Sequence, residues 1–216
     1  MSKAPSEPLP AEAAPLPPVP VTIVGGYLGA GKTTLVNQLL RQADGVRIAV
    51  LVNELGDISI DADLIEARDA DMISVAGGCV CCSYGSDLMA ALMDLSRRRP
   101  RFDHVVLETS GVALPGPVAA SLTLLADYVN DGAVILADAV SVRRQAADRY
   151  LSDTIRQQLS GADLVVLNKT DLVDAATLQG LQAWLAEVSG GARLPDHGRG
   201  VSAPRCDNGR ARRFAR

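Results

Sequence analysis

One octapeptide limits what this chain can become: Gly26-Tyr27-Leu28-Gly29-Ala30-Gly31-Lys32-Thr33. The apolar run Val21-Thr22-Ile23-Val24 precedes it, and Thr34-Leu35-Val36-Asn37-Gln38-Leu39-Leu40 reads as a helix after it. A glycine-rich turn between strand and helix points backbone N–H groups inward, and the positive end of the helix adds to them. Glycine is needed where the backbone turns tightly against phosphate oxygens. The pattern gathers Gly26, Gly29, Ala30, Gly31, Lys32, Thr33 and Thr34 around a nucleotide's phosphates. Lys32 is expected to reach the β- and γ-phosphates, and the Thr33 hydroxyl to hold Mg²⁺.

The chain has 216 residues, 48% of them hydrophobic, enough for one core. Aromatics make up only 3%, so that core must come from Val, Leu, Ile and Ala, a mix suited to buried parallel strands with helices on both faces. The net charge is -4, which does not point to nucleic acid or an anionic membrane as a partner. No apolar stretch reaches the length of a bilayer span. Residues Met1–Pro20 are rich in Pro and Ala and carry Glu7 and Glu12. They resemble neither a secretory signal nor a mitochondrial leader and read as a disordered tail, so a cytoplasmic location is expected. In that compartment clustered cysteines indicate metal or redox chemistry more often than structural disulfides.

Strand and helix patterns alternate after Pro20. Strands are expected at Val21–Val24, Val46–Val52, Met72–Val75, Asp103–Leu107, Ala133–Ala137 and Leu164–Leu167. Helices are expected at Lys32–Arg41, Ser86–Arg98, Val118–Tyr128 and Ala175–Val188. This order predicts an α/β three-layer sandwich around a mostly parallel sheet, a P-loop fold spanning 21–190. Ligands of such sheets sit beyond the carboxyl ends of the strands. The segments there are Asn53-Glu54-Leu55-Gly56-Asp57, Gly77-Gly78-Cys79-Val80-Cys81-Cys82, Glu108-Thr109-Ser110-Gly111 and Asn168-Lys169-Thr170-Asp171.

Each has a functional and a plainer reading. Asn168, Lys169 and Asp171 fit a guanine reader, because a carboxylate accepts two hydrogen bonds from guanine N1–H and the amino group. Otherwise Asp171 is the cap of the last helix. Glu108 ends a buried strand and would hold a Mg²⁺-bound water or orient an attacking one; otherwise it is a capping or surface acid. Asp138 lies on the same rim, where a turn-stabilising role is the simpler one. Cys79, Cys81 and Cys82 offer thiolates to Zn²⁺ or a similar ion, with water, Glu54 or Asp57 as a further ligand. Small buried residues or a redox dithiol are the other readings of that cluster. His104 and His197 lack metal-ligand spacing to the cysteines and read as structural or solvated, and Trp184 as packing for the last helix.

Together these pieces resemble the CobW-type family of metal-related GTPases, relatives of HypB and UreG. The resemblance rests on Gly25 to Leu35, Asn53-Glu54-Leu55-Gly56, Gly78-Cys79-Val80-Cys81-Cys82, Glu108-Thr109-Ser110-Gly111 and Asn168-Lys169-Thr170-Asp171, and runs from Val21 to about Val173. It implies GTP hydrolysis with Lys32, Glu108 and Glu54 as catalytic candidates and Mg²⁺ on Thr33. It also implies binding of Zn²⁺ or Co²⁺ at Cys79, Cys81 and Cys82, and delivery of the ion to a metalloprotein client. The loop of Glu54 would link nucleotide to metal. Asp57 stands where the family often has glutamate, an acid of shorter reach. Family members usually continue into a C-terminal domain, whereas 191–216 reads as an irregular Arg- and Gly-rich tail, so a truncated product is expected. Val201-Ser202-Ala203 faintly resembles a guanine-touching loop, against a disordered tail. A GTP- and metal-binding module without effective catalysis or client delivery is the alternative function. An ATP-using kinase is disfavoured by the guanine motif, and pairing of two copies is left open.

Overall fold

The computed structural model describes residues 16–43, 45–53, 72–75, 87–195, 206–207 and 210–211. Six parallel strands form the main sheet: β1 (Val19–Gly26), β2 (Ile48–Asn53), β3 (Met72–Val75), β4 (His104–Glu108), β5 (Tyr128–Asp138) and β6 (Leu164–Asn168), in the order β3-β2-β4-β1-β5-β6. Among the described residues six α-helices accompany them: α1 (Lys32–Arg41), α2 (Asp87–Arg97), α3 (Pro115–Leu122), α4 (Val142–Gln145), α5 (Ser152–Ser160) and α6 (Ala175–Val188). A 3₁₀ turn covers Thr170–Leu172, and a small antiparallel pair joins β7 (Cys206–Asp207) to β8 (Arg210–Ala211). The mostly parallel sheet expected from the sequence is parallel at every strand pair of the main sheet.

Alternation along the strands divides the core. Ile23, Leu51 and Leu107 face α2 and α3 through Leu88, Leu92, Leu95, Val118 and Leu122. Val24, Val50, Val106 and Leu136 face α1 through Leu35, Val36 and Leu39. Ile135 and Val165 meet α4, α5 and α6 through Val142, Ile155, Leu159, Leu181 and Leu185. Each buried aliphatic side chain contributes about 1.5–3 kcal/mol, so these layers are the main source of stability. Trp184 packs at the margin of the third cluster, as expected. Arg193 forms a bridge with Leu164, and Ala192 and Leu194 join the same cluster.

Three sequence expectations need correction. The helix expected at Val118–Tyr128 runs instead from Pro115 to Leu122. Pro115 suits a first helical turn because its missing N–H needs no acceptor there. Tyr128 opens β5, pairing with Val19, and its hydroxyl donates to Leu92 O at 2.6 Å. Strand β5 is also much longer than Ala133–Ala137. Helices α4 and α5 were not foreseen at all. The buried side of α5 is only Ile155, Leu159 and the polar Gln158, too thin an apolar stripe to read as a period.

A buried polar chain crosses the amino-terminal part of the sheet. Thr22 Oγ1 lies 2.8 Å from His104 Nε2 and donates to Asp131 Oδ2 at 3.3 Å. Asp131 sits where the β1–β5 register skips a residue. Burial pushes the His104 imidazole down from 6.5 to about 4. The unfolded chain therefore takes up a proton near pH 6.5 that the folded chain refuses until near pH 4. Stability from this group is full above pH 6.5, falls as pH drops through that window, and is gone below about 4. The shift corresponds to about 3 kcal/mol. Urea unfolding of the wild type between pH 7 and pH 4 is expected to lose about that much more than His104→Gln, which does not titrate there. Parallel curves for the two proteins would contradict the assignment.

Candidate nucleotide site

The site lies at the carboxyl ends of β1, β4, β5 and β6. Strand β1 ends at Gly26 with φ 128, and the chain then loops through Gly29 at φ 73 and Gly31 at φ 100 before entering α1. Two of these glycines are also required by space. A Cβ at Gly26 would strike the Leu136 carbonyl oxygen, and one at Gly31 would strike the Asn168 amide nitrogen. Gly31 is the N-cap of α1, with no side-chain cap, and the first turn holds no acid. The helix's leading N–H groups and the positive end of its dipole thus face the loop with no capping side chain from the N-cap residue itself. Lys32, 8% exposed, is held in the same turn.

Opposite the loop, Glu108 ends β4 and is buried. Its Oε1 accepts from Thr33 Oγ1 at 3.0 Å. A hydroxyl and a carboxylate side by side are hard oxygen donors of the kind Mg²⁺ prefers. The residues present therefore fit that ion. Beyond Glu108 the chain stays extended, with Thr109 N–H donating to Val24 O at 2.9 Å. It then presses on the loop: a Cβ at Gly111 would come within 2.6 Å of Leu28 Cδ2. The buried Gln158 of α5 secures the far side, its Nε2 donating to Gly111 O at 3.1 Å and to Ala113 O at 2.9 Å.

The end of β6 closes the third side. Asn168 Nδ2 donates to Ala30 O at 2.9 Å, and its Oδ1 accepts from Lys169 N–H at 2.9 Å. An amide has two donors and two lone pairs, so one of each is still available for a base edge. Lys169 adopts φ 58, an uncommon left-handed conformation for a residue with a side chain. Its Nζ donates to Asp138 Oδ2 at 2.8 Å, while Asp138 Oδ1 accepts from Val140 N–H at 2.8 Å. Burial resists the charged form of Asp138, but the Lys169 and Val140 hydrogen bonds outweigh it and hold the carboxyl below its ordinary value. Asp138 is thus both a turn acid and the partner of Lys169. Asp171 is exposed on the 3₁₀ turn. The cap of α6 is Asp174, whose Oδ1 accepts from Thr177 N–H at 2.7 Å, so Asp171 does not have that role.

Gly26, Gly29, Ala30, Gly31, Lys32, Thr33, Thr34, Glu108, Asn168, Lys169 and Asp171 are therefore gathered at one rim. Glu54, Asp57, Cys79, Cys81, Cys82 and the segment Val201-Ser202-Ala203 lie outside the described residues. Sequence reasoning missed Gln158 and undervalued Asp138. Only the position of Asp138 at a strand's carboxyl end marked it beforehand, and nothing marked Gln158.

A parallel sheet whose central strand runs into a glycine loop and helix, with an acid from the adjacent strand against the loop's threonine, defines a P-loop nucleotide-binding protein. The chain belongs to the CobW/HypB/UreG family, whose nucleotide-binding domain model matches residues 20–195. It is 38% identical over 199 residues to the zinc chaperone CobW of Sinorhizobium sp, covering 79% of this chain and 55% of that protein. It is 36% identical over 184 residues to the zinc-regulated GTPase metalloprotein activator 1 of Schizosaccharomyces pombe, covering 81% of this chain and 44% of that protein. The crystal structure of a zinc-bound triple mutant of the YjiA GTPase superposes with a TM-score of 0.64 at 28% identity, covering 92% of this chain and 62% of that one. The chain spans about half the length of the curated relatives it matches. No helix among the described residues is long and apolar enough to cross a membrane.

Gly31→Ala tests the packing of the site. The new methyl group would collide with Asn168 in a conformation that side chains resist. Stability is expected to fall by about 2 kcal/mol in urea unfolding, with guanine-nucleotide affinity falling at least about tenfold by calorimetry. Wild-type values for both would show that the loop and Asn168 do not depend on each other.

Proposed function

We propose that this chain is the nucleotide-binding part of a GTP-hydrolysing metallochaperone that carries zinc, or a similar ion such as Co²⁺, to a metalloprotein client. The observation that carries this reading is the Thr33–Glu108 pair beside an uncapped α1, with Asn168 tied to Ala30 on the other side of the loop. Phosphate chemistry and base reading thereby share one pocket edge. The names of the relatives, zinc chaperone and metalloprotein activator, support the cargo and the client.

In this mechanism the loop amides and the Lys32 ammonium receive the phosphates and neutralise charge as the terminal group leaves. Thr33 and Glu108 would hold Mg²⁺, which when bound supplies further neutralisation of the β- and γ-oxygens. Asp171 accepts from guanine N1–H and its amino group, Asn168 meets the base with its spare donor, and the Lys169 stem covers the ring. Glu108, with Glu54, orients the attacking water. Cys79, Cys81 and Cys82, with Glu54 or Asp57, bind the zinc cargo as thiolates and a carboxylate. Affinity for the cargo differs between the GTP and GDP states, because linkage between two sites is reciprocal.

Phosphate release from GTP is expected to fall about 100-fold or more in Lys32→Ala. Excess ATP should compete poorly with GTP. Zinc titration with a GTP analogue or GDP bound is expected to give different affinities, and Cys81→Ser to weaken both. Equal zinc affinities in the two states would remove the coupling. Binding of GTP and zinc with no phosphate release would favour a binding module over an enzyme.

A further inference from the structure

We propose that Ser110 is a further substrate-binding residue, whose hydroxyl donates to the terminal phosphate of GTP and so distinguishes GTP from GDP. This rests on the GTP reading above. Ser110 is 6% exposed, and its Oγ has no hydrogen-bond partner among the described residues. A buried hydroxyl left unpaired is costly to a fold, so its placement calls for an acceptor.

The strand pattern says which way it points. Residues two apart on an extended chain share a face. Val105 and Leu107 pack towards α2 and α3, whereas Val106 packs towards α1 and Glu108 meets Thr33. Thr109 N–H still follows the ladder onto Val24 O, so the alternation carries through to Ser110. Ser110 therefore lies on the α1 side, one repeat further out than Glu108, about 6–7 Å along the strand direction. The next residue, Gly111, lies against Leu28 of the phosphate loop, so Ser110 stands beside that loop.

The chemistry suits a terminal phosphate. Glu108 as a carboxylate only accepts, so it cannot bind phosphate oxygen directly. A serine hydroxyl donates without adding charge, and a phosphate oxygen is a strong acceptor. GDP has no oxygen at that position. The loop is also fixed close by, with Gly111 packed on Leu28 and held by Gln158.

The experiment uses the full chain as wild type, Ser110→Ala and Ser110→Thr. It measures the thermal midpoint without nucleotide, and the affinities for a non-hydrolysable GTP analogue and for GDP in the presence of Mg²⁺. Ser110→Ala is expected to melt no lower than wild type, since it removes an unpaired buried group. Its GTP-analogue affinity should fall about tenfold, the size of one charge-assisted hydrogen bond, with GDP affinity within about twofold of wild type. Ser110→Thr keeps the hydroxyl and should keep the preference. A lower melting midpoint with equal loss for both nucleotides would make the hydroxyl structural and overturn the proposal. Unchanged GTP-analogue affinity in Ser110→Ala would overturn it while leaving the GTP reading intact. A wild type that binds neither nucleotide would overturn both.

Discussion

The site depends on close approach of the loop backbone to its neighbours at the end of β1. Gly26 lies against the Leu136 carbonyl and Gly31 against Asn168, leaving no room for a side chain at either position. The loop's shape is therefore set by its neighbours as well as by its own glycines. β4 supplies Glu108 on one side, β5 supplies Leu136 and Asp138, and β6 supplies Asn168. Parallel strands deliver all of these at one edge because their carboxyl ends point the same way. A single antiparallel strand at the centre would have sent one of these groups to the far end.

Polar groups at that edge are used in pairs that do not consume the site. Thr33 and Glu108 bond to each other and still present oxygen atoms of a kind suited to a hard cation. Asn168 gives one hydrogen to Ala30 and keeps another. Lys169 and Asp138 neutralise each other, which leaves the exposed Asp171 as the carboxylate of that turn beside the pair. Such pairing keeps side chains in place before any ligand arrives, which lowers the ordering cost of binding.

The sequence made the fold class legible because its signals were local. Strong apolar runs marked the strands, and the limits expected for α1 and α6 match those observed. The Glu108 and Asn168 segments could be assigned to one rim, since strand ends in a parallel sheet share a side. What escaped depended on distant partners. Gln158 looks like one of two adjacent glutamines on a polar helix, and only burial against Gly111 and Ala113 gives it a purpose. Asp138 could be read as a turn acid, but its pairing with Lys169 spans two strands. α3 was misplaced because the apolar residues Leu122 and Leu125 extend its pattern into a stretch where Tyr128 is drawn into the sheet.

The grip of Gln158 on the strand-end loop has a mechanical result. Both hydrogens of one amide are committed to carbonyls two residues apart, on a helix whose neighbours Ile155 and Leu159 are embedded in the third cluster. The loop is thus moored at its outer end while its inner end continues from Glu108. Any displacement between these two fixed points must either snap the mooring or drag α5 and the layer beneath it. The position of the loop is therefore coupled to that of α5, so a shift at the strand end is passed to the third cluster and not confined to the surface.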